Sequence, residues 1–286
     1  MDMFLTCTTS VPTASPVVPS PVVPWWSFGK TAIAATALVL VRDGLLHLDD
    51  IQPDTPYTLR HLLQHRSGLP DYGGLAEYHA AVERGEDPWP ISDLLQRCDA
   101  GRLRYPPGED WGYSNIGYWH LTQIVAHAAG QPFGMVLEQR VLAPLGIAGV
   151  RLAQDRADLT GLPGIVGGYH PGWVYHGLLI GPLDAATRLL HGLLTGNLLP
   201  PDLLDAMRKP HWLGGPVTDR PWLAPGYGLG LMCGEASAGQ HVEGHSGGGP
   251  GSVVAVYHRP AEGVTAAGFA SGTDMAALEA AVFRYT

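Results

Sequence analysis

Five prolines, at positions 12, 16, 19, 21 and 24, stand directly before a proline-free apolar run, Ser27 to Val41. This junction constrains the fold more than any other feature. Proline fixes φ and removes a backbone donor, so residues 1–26 can form neither a helix nor a central strand. They read as an extended arm with at most one short strand around Phe4 to Thr9. The alanine-rich run after them reads as a buried helix of about 15 residues.

Downstream, Asp43-Gly44 supplies a turn, and Leu45 to Leu48 are expected to be extended. Thr58 opens a helix with Leu59, Leu62 and Leu63 on one face, and Ser67-Gly68-Leu69-Pro70 stops it. Residues 72–90 read as a polar, partly helical excursion, followed by a short helix from Ile91 to Cys98. A second buried helix is expected from Asn115 to Ala129, closed by Gly130, and a third over 132–142. Leu183 to Leu194 and Leu203 to Met207 are further helical pieces. The tail changes character: Gly226 to Met232, Val253 to Tyr257 and Val264 to Phe269 read as strands, and Met275 to Arg284 as a terminal helix. Helices in the middle and strands at the end predict an α+β chain, a mixed sheet domain with an inserted helical lobe.

The formal net charge is −9, which excludes the basic surface that nucleic-acid binding needs. No apolar stretch reaches about 18 residues, so no membrane span is expected. Three widely spaced cysteines, Cys7, Cys98 and Cys233, make neither a disulfide framework nor a metal cluster. Asp2 is the sole charge before Lys30, so no standard secretory signal is visible and a cytoplasmic location is expected.

Three short segments carry chemistry. In Ser27-Phe28-Gly29-Lys30, residues three apart share a helix face, so the lysine amine can reach the serine Oγ. That is the layout of a Ser/Lys acyl-transfer centre. The chain has only two lysines, Lys30 and Lys209. The same four residues also read as a helix N-cap with a solvated lysine, and the apolar helix that follows argues against this. In Tyr113-Ser114-Asn115, a tyrosine near a lysine can hold a depressed pKa and pass protons, and the asparagine can bond a substrate amide. As a bland alternative, it is a loop tyrosine with an asparagine cap. In Gly244-His245-Ser246-Gly247-Gly248-Gly249, glycines let a strand approach a ligand closely and turn a backbone N–H onto a carbonyl under attack. His245 could bind a substrate carboxylate or assist proton transfer; alternatively the segment is a flexible glycine hairpin.

Together, in that order, these segments resemble the penicillin-recognising serine hydrolases: class C β-lactamases, D-alanyl-D-alanine carboxypeptidases, D-aminopeptidases and related esterases. Leu45 to Asp50, Thr58 to Leu69, Pro107-Gly108 to Tyr118, Pro144-Leu145-Gly146 and Tyr227 to Gly230 carry the resemblance further, over about residues 25–286. It implies a β-lactamase/transpeptidase-like fold, an antiparallel sheet flanked by helices with an inserted all-helical lobe. The helical lobe would cover about 58–210, and the sheet lobe 27–57 plus 211–286. Residues 1–26 would form a proline-rich arm and 27–286 the hydrolase domain. It also implies that Ser27, Lys30, Tyr113 and His245 act in catalysis, and that Asn115, Gly247 and Gly248 hold substrate and oxyanion. No cofactor or metal is implied.

The family usually places two strands before its nucleophile helix. With 26 residues there, five of them proline, those strands are expected to be reduced or missing, exposing a sheet edge through which a homodimer could form. A truncated or shifted start would give the same picture. Histidine at the head of the glycine strand resembles carboxypeptidases, D-aminopeptidases and esterases more than β-lactamases. The expected activity is cleavage of an ester or amide in a small molecule or short peptide: an acyl ester, a D-amino-acid peptide or a β-lactam. The alternative is an inactive or weakly active homologue that binds such ligands. His61 and His65, four apart, have a spacing that can bind metal, but structural packing is the better reading. Tyr169, His170, Trp173, Tyr175 and His176 are expected to form a wall beside the site.

Overall fold

A computed structural model describes residues 3–9, 20–196 and 198–285. The first strand, β1 (Met3–Thr9), precedes a short β2 (Val22–Pro24) and a 3-10 turn over 26–28, from which α1 (Gly29–Arg42) continues. Five helices follow: α2 (Leu59–Leu63), α3 (Ala76–Glu83), α4 (Ile91–Arg97), α5 (Asn115–Ala129) and α6 (Phe133–Leu137). Short strands β3 (Arg151–Leu152) and β4 (Leu179–Pro182) lead to α7 (Leu183–Thr195) and α8 (Pro201–Arg208). The tail holds β5 (His211–Trp212), β6 (Trp222–Tyr227), β7 (Met232–Ala236), β8 (Gln240–Gly249), β9 (Ser252–Arg259), β10 (Val264–Ser271) and α9 (Met275–Arg284).

Seven strands form one antiparallel sheet in the order β1-β10-β9-β8-β7-β6-β5, and β2-β4-β3 form a small second one. In β9 and β10 alternate residues point to opposite faces. Val254, Val256, Ala267 and Phe269 join the large core, whereas Val253, Ala255, Ala266 and Ala270 join a cluster with Leu278, Val282 and Phe283 of α9. Both faces are therefore apolar, which is why these strands read as continuous runs.

The short strand expected around Phe4 to Thr9 is present. It spans Met3 to Thr9, paired in register from Met3 with Ala270 to Thr9 with Val264. It ends before the first proline of the sequence, and it lies at the sheet edge. One supporting strand is thus present rather than missing, and the sheet's open edge is the outer edge of β1.

One other element is corrected. Gly226 to Met232 is not one continuous strand: Gly226 and Tyr227 end β6, residues 228–231 form a turn, and Met232 opens β7. Gly228 N–H bonds Leu231 O, Gly230 N–H bonds Leu63 O, and Gly230 takes φ 74°. α7 lies within 58–210, the range expected for the helical lobe, yet it packs on β10, β1 and β9. Elsewhere the local signals hold: Ser114 Oγ accepts from Gly117 N–H at 3.0 Å to start α5, and Gly130 ends it at φ 64°.

α1 is the central piece. Every residue from Gly29 to Leu40 is buried, between α5 and α6 on one side and the sheet on the other. Its N-terminus abuts β8 through the 3-10 turn that carries Ser27. Pairing of β7 with β8 stops at Gly244, so the edge of β8 over 245–249 is open toward that turn.

Candidate active site

Ser27 sits in the single turn before α1, and Lys30 one turn further on. Lys30 is fully buried, with its Nζ 3.3 Å from Ser27 Oγ, 2.6 Å from Asn115 Oδ1 and 2.6 Å from His176 Nε2. Burial pulls the lysine down to about 7, against an opposing pull from the Asp71 carboxylate. An amine that is half neutral at neutral pH can take a proton from a serine, which an ordinary surface lysine cannot.

Tyr113 O–H donates to Ser27 Oγ at 2.9 Å. Its ring lies on that of His65, centroids 4.3 Å apart, and Lys30 Nζ stands 4.9 Å from its centre. Burial raises the Tyr113 phenol well above the usual tyrosine range. The depressed pKa expected for it is therefore corrected: desolvation outweighs the hydrogen bond with Ser27, and the group is a neutral phenol. The segment that carries it is held from below. His65, in the left-handed region at φ 57°, accepts from Ser114 N–H at 3.1 Å, and Ser114 Oγ donates to Pro70 O at 2.7 Å.

Asn115 reaches Lys30 with its side chain while its backbone N–H donates to Asp71 Oδ1 at 2.8 Å. Asp71 thereby ties the second segment to the loop after α2 and supplies the carboxylate nearest the lysine's charge.

β8 approaches Ser27 so closely that a Cβ on Gly247 would stand 2.2 Å from Ser27 N, and one on Gly249 2.4 Å from the Trp26 ring. Trp26 itself holds φ 40°, an unfavourable region for a bulky residue. Its indole N–H donates to Ser252 Oγ at 3.0 Å, and its ring meets Tyr169 edge-on at 5.6 Å. The aromatic anchors hold the strained backbone that presents Ser27.

His245 is held by protein groups on both ring nitrogens. Its Nδ1 donates to Ser246 O at 2.5 Å, and its Nε2 accepts from Tyr227 O–H at 3.0 Å. Burial, reinforced by Lys30, pushes it down to about 3, so it is neutral and both ring nitrogens are engaged by protein groups. Among the described residues no hydrogen bond joins it to Ser27, Lys30 or Tyr113. The ring is buried at the head of the glycine segment of β8.

A cavity of about 720 Å³ opens over Ser27 and Asn115. Trp26, Tyr72, Tyr78 and Tyr169 give it aromatic lining, and Gly248 and Arg220 also line it. Tyr169 and His176 of the expected wall do line it, whereas Trp173 is fully buried behind, against Tyr78 and Trp89. His61 and His65 do not share a helix face. His61 caps α2, its Nδ1 accepting from Thr58 N–H, and His65 lies beyond the helix end under Tyr113.

Sequence reasoning missed Asp71 and the direct role of His176. Asp71 follows the Ser-Gly-Leu-Pro stop signal, where an acidic residue is ordinary. His176 was read only as part of a wall, because nothing in its spacing reports that β4 returns the chain to α1.

An antiparallel sheet flanked by helices, with Ser27 one helical turn before the buried Lys30, defines the class: proteins with the β-lactamase/transpeptidase-like fold. The chain belongs to the beta-lactamase family, whose family model matches residues 8–285. Penicillin-binding protein 4* of Bacillus subtilis is 31% identical over 159 residues, covering 52% of this chain and 34% of that protein. The D-aminopeptidase of Brucella anthropi is 26% identical over 222 residues, covering 73% of this chain and 40% of its own length. Those alignments span well under two thirds of the relatives. Among solved structures, a D-stereospecific amidohydrolase from Streptomyces superposes with a TM-score of 0.81 at 23% identity, over 99% of this chain and 94% of that one. That likeness establishes the fold. Among the described residues no helix is long and apolar enough to cross a membrane.

Proposed function

We propose that the protein hydrolyses an amide or ester of a D-amino acid or short D-peptide through an acyl-enzyme on Ser27. The observation that carries this reading is the hydrogen-bond pair on one oxygen: Ser27 Oγ lies 3.3 Å from a buried, partly neutral lysine and 2.9 Å from a neutral phenol. In the forward step Ser27 O–H gives its proton to Lys30 Nζ as Oγ bonds the carbonyl carbon. Tyr113 then delivers a proton to the leaving nitrogen or oxygen as the old bond breaks, and recovers one from Lys30. Water repeats the sequence on the ester so formed and frees Ser27. The N–H groups of Ser27 and Gly248, at the open edge of β8, would hold the oxyanion, and Asn115 would orient the substrate amide.

The likeness to a D-aminopeptidase and a D-stereospecific amidohydrolase favours the D-series, and the aromatic lining of the cavity suits an apolar side chain. The inactive-homologue alternative drew on missing sheet strands, and Met3–Thr9 occupies one such place beside β10. A homodimer through the outer edge of β1 is part of the same proposal and is read by light scattering. The activity is tested by comparing D- and L-phenylalanine amide, p-nitrophenyl acetate and nitrocefin, each beside Ser27→Ala. Turnover of the D-amide that disappears in Ser27→Ala supports the reading; no turnover of any of the four defeats it.

A further inference from the structure

We infer that His176 is a positioning residue for the Lys30 amine: its Nε2 accepts a Lys30 N–H and so aims the nitrogen lone pair at Ser27. This rests on the reading of Ser27 as nucleophile and Lys30 as base. The argument is a count of protons. A neutral amine has two N–H donors and one lone pair. Lys30 Nζ has three polar neighbours within hydrogen-bond reach: Asn115 Oδ1 at 2.6 Å, His176 Nε2 at 2.6 Å and Ser27 Oγ at 3.3 Å. Asn115 Oδ1 can only accept. Ser27 Oγ already accepts from Tyr113 and keeps its own proton to donate. If Ser27 donates to the lone pair, both amine hydrogens must go to Asn115 and His176. His176 then carries its proton on Nδ1, which is buried and has no partner among the described groups.

The neighbours agree with a neutral imidazole. Burial, then the charges of Lys30 and His245, holds His176 well below the usual histidine range. Lys30 is faced by His176 at the entry to β4, by Asn115, Tyr113 and Tyr118 of α5 and its approach, by His65 beyond α2, by Asp71, and by His245 of β8. Of these, Asp71 is the carboxylate, and the histidines are all driven toward neutrality. A neutral acceptor 2.6 Å away also strengthens its bond as Lys30 becomes an ammonium, because charge-assisted bonds are the stronger ones. The contact therefore favours the state in which Ser27 has lost its proton.

Three variants separate position from packing. Gln at 176 places an oxygen near the site of Nε2, Asn places one near Nδ1, and Leu offers neither. The first readout is independent of turnover. The chain has two lysines, so a protein labelled at lysine Cε gives two resonances, assigned with Lys209→Arg, and the Lys30 titration is followed directly. His176→Gln is expected to titrate near wild type and to keep acylation within a few-fold. His176→Asn and His176→Leu are expected to titrate at lower pH, since the ammonium loses an acceptor, and to acylate about tenfold or more slowly with KM little changed. Should Leu fail to fold, the Gln against Asn contrast decides. Equal Lys30 titration in Gln and Asn, or wild-type titration in Leu, overturns the inference. Absence of turnover in the wild type defeats the hydrolase reading alone, because the lysine titration is still read.

Discussion

Gly247 lies so close to Ser27 that a single added methyl carbon would stand 2.2 Å from the Ser27 backbone nitrogen. β8 and the turn that carries Ser27 thus touch backbone to backbone. Gly247→Ala is expected to push β8 off the turn and lower kcat/KM by about 100-fold or more, the scale of losing an oxyanion donor. Gly74→Ala, where an added Cβ meets nothing within 4 Å, is the folding and activity control. Steady-state kinetics with circular dichroism reads both; wild-type kcat/KM in Gly247→Ala would refute the contact's importance.

Lys30, drawn down to about 7 by burial, sets the acid limb of the rate. The base must be neutral, so kcat/KM for acylation should rise with pH through about 7 and level off above it. His245, at about 3, is already neutral over that range, so His245→Gln should leave the limb where it is. A limb that moves with His245→Gln would transfer the titration to that residue.

The same depression acts on stability. Unfolded, Lys30 binds a proton up to its ordinary value of 10.5; folded, it releases it near 7. Between those values the unfolded chain holds more protons, so stability falls as pH drops from about 10.5 to about 7 and is flat below. Lys30→Met removes that loss. It should be inactive yet more stable than wild type by about 1–4 kcal/mol at pH 7, with the gap shrinking toward pH 10. Urea titrations across pH measure this, and a gap independent of pH contradicts it.

Tyr113→Phe keeps the ring against His65 and removes the hydrogen bond to Ser27 Oγ. The fold should survive, and acylation should slow about 10² to 10⁴-fold, the range for a positioned proton-transfer group. Stopped-flow release of p-nitrophenol checks it; a loss under about threefold would leave Tyr113 without a chemical role.

Much of this was legible in the chain because the signals are local. The three-residue spacing of Ser27 and Lys30, the start of α5 at Asn115, the αL stop at Gly130 and the strands over 253–257 and 264–269 each depend on neighbours in sequence. What escaped is set by burial and by distant contacts. Tyr113 stays a neutral phenol because the helices bury it, and His245 is hydrogen-bonded by Tyr227 from a neighbouring strand pair. His176 meets Lys30 across 146 positions, and no pattern in the intervening residues reports that meeting. The short strand around Phe4 to Thr9 is legible too, because it ends before the first proline and so needs only local signals.

The account turns on Ser27 being the residue that is acylated. Intact-mass analysis with peptide mapping, during a p-nitrophenyl acetate burst, tests it most directly. One acetyl group on Ser27 is expected, absent in Ser27→Ala and formed far more slowly in Lys30→Met. Turnover with no adduct on Ser27, or an unimpaired Ser27→Ala, would contradict it.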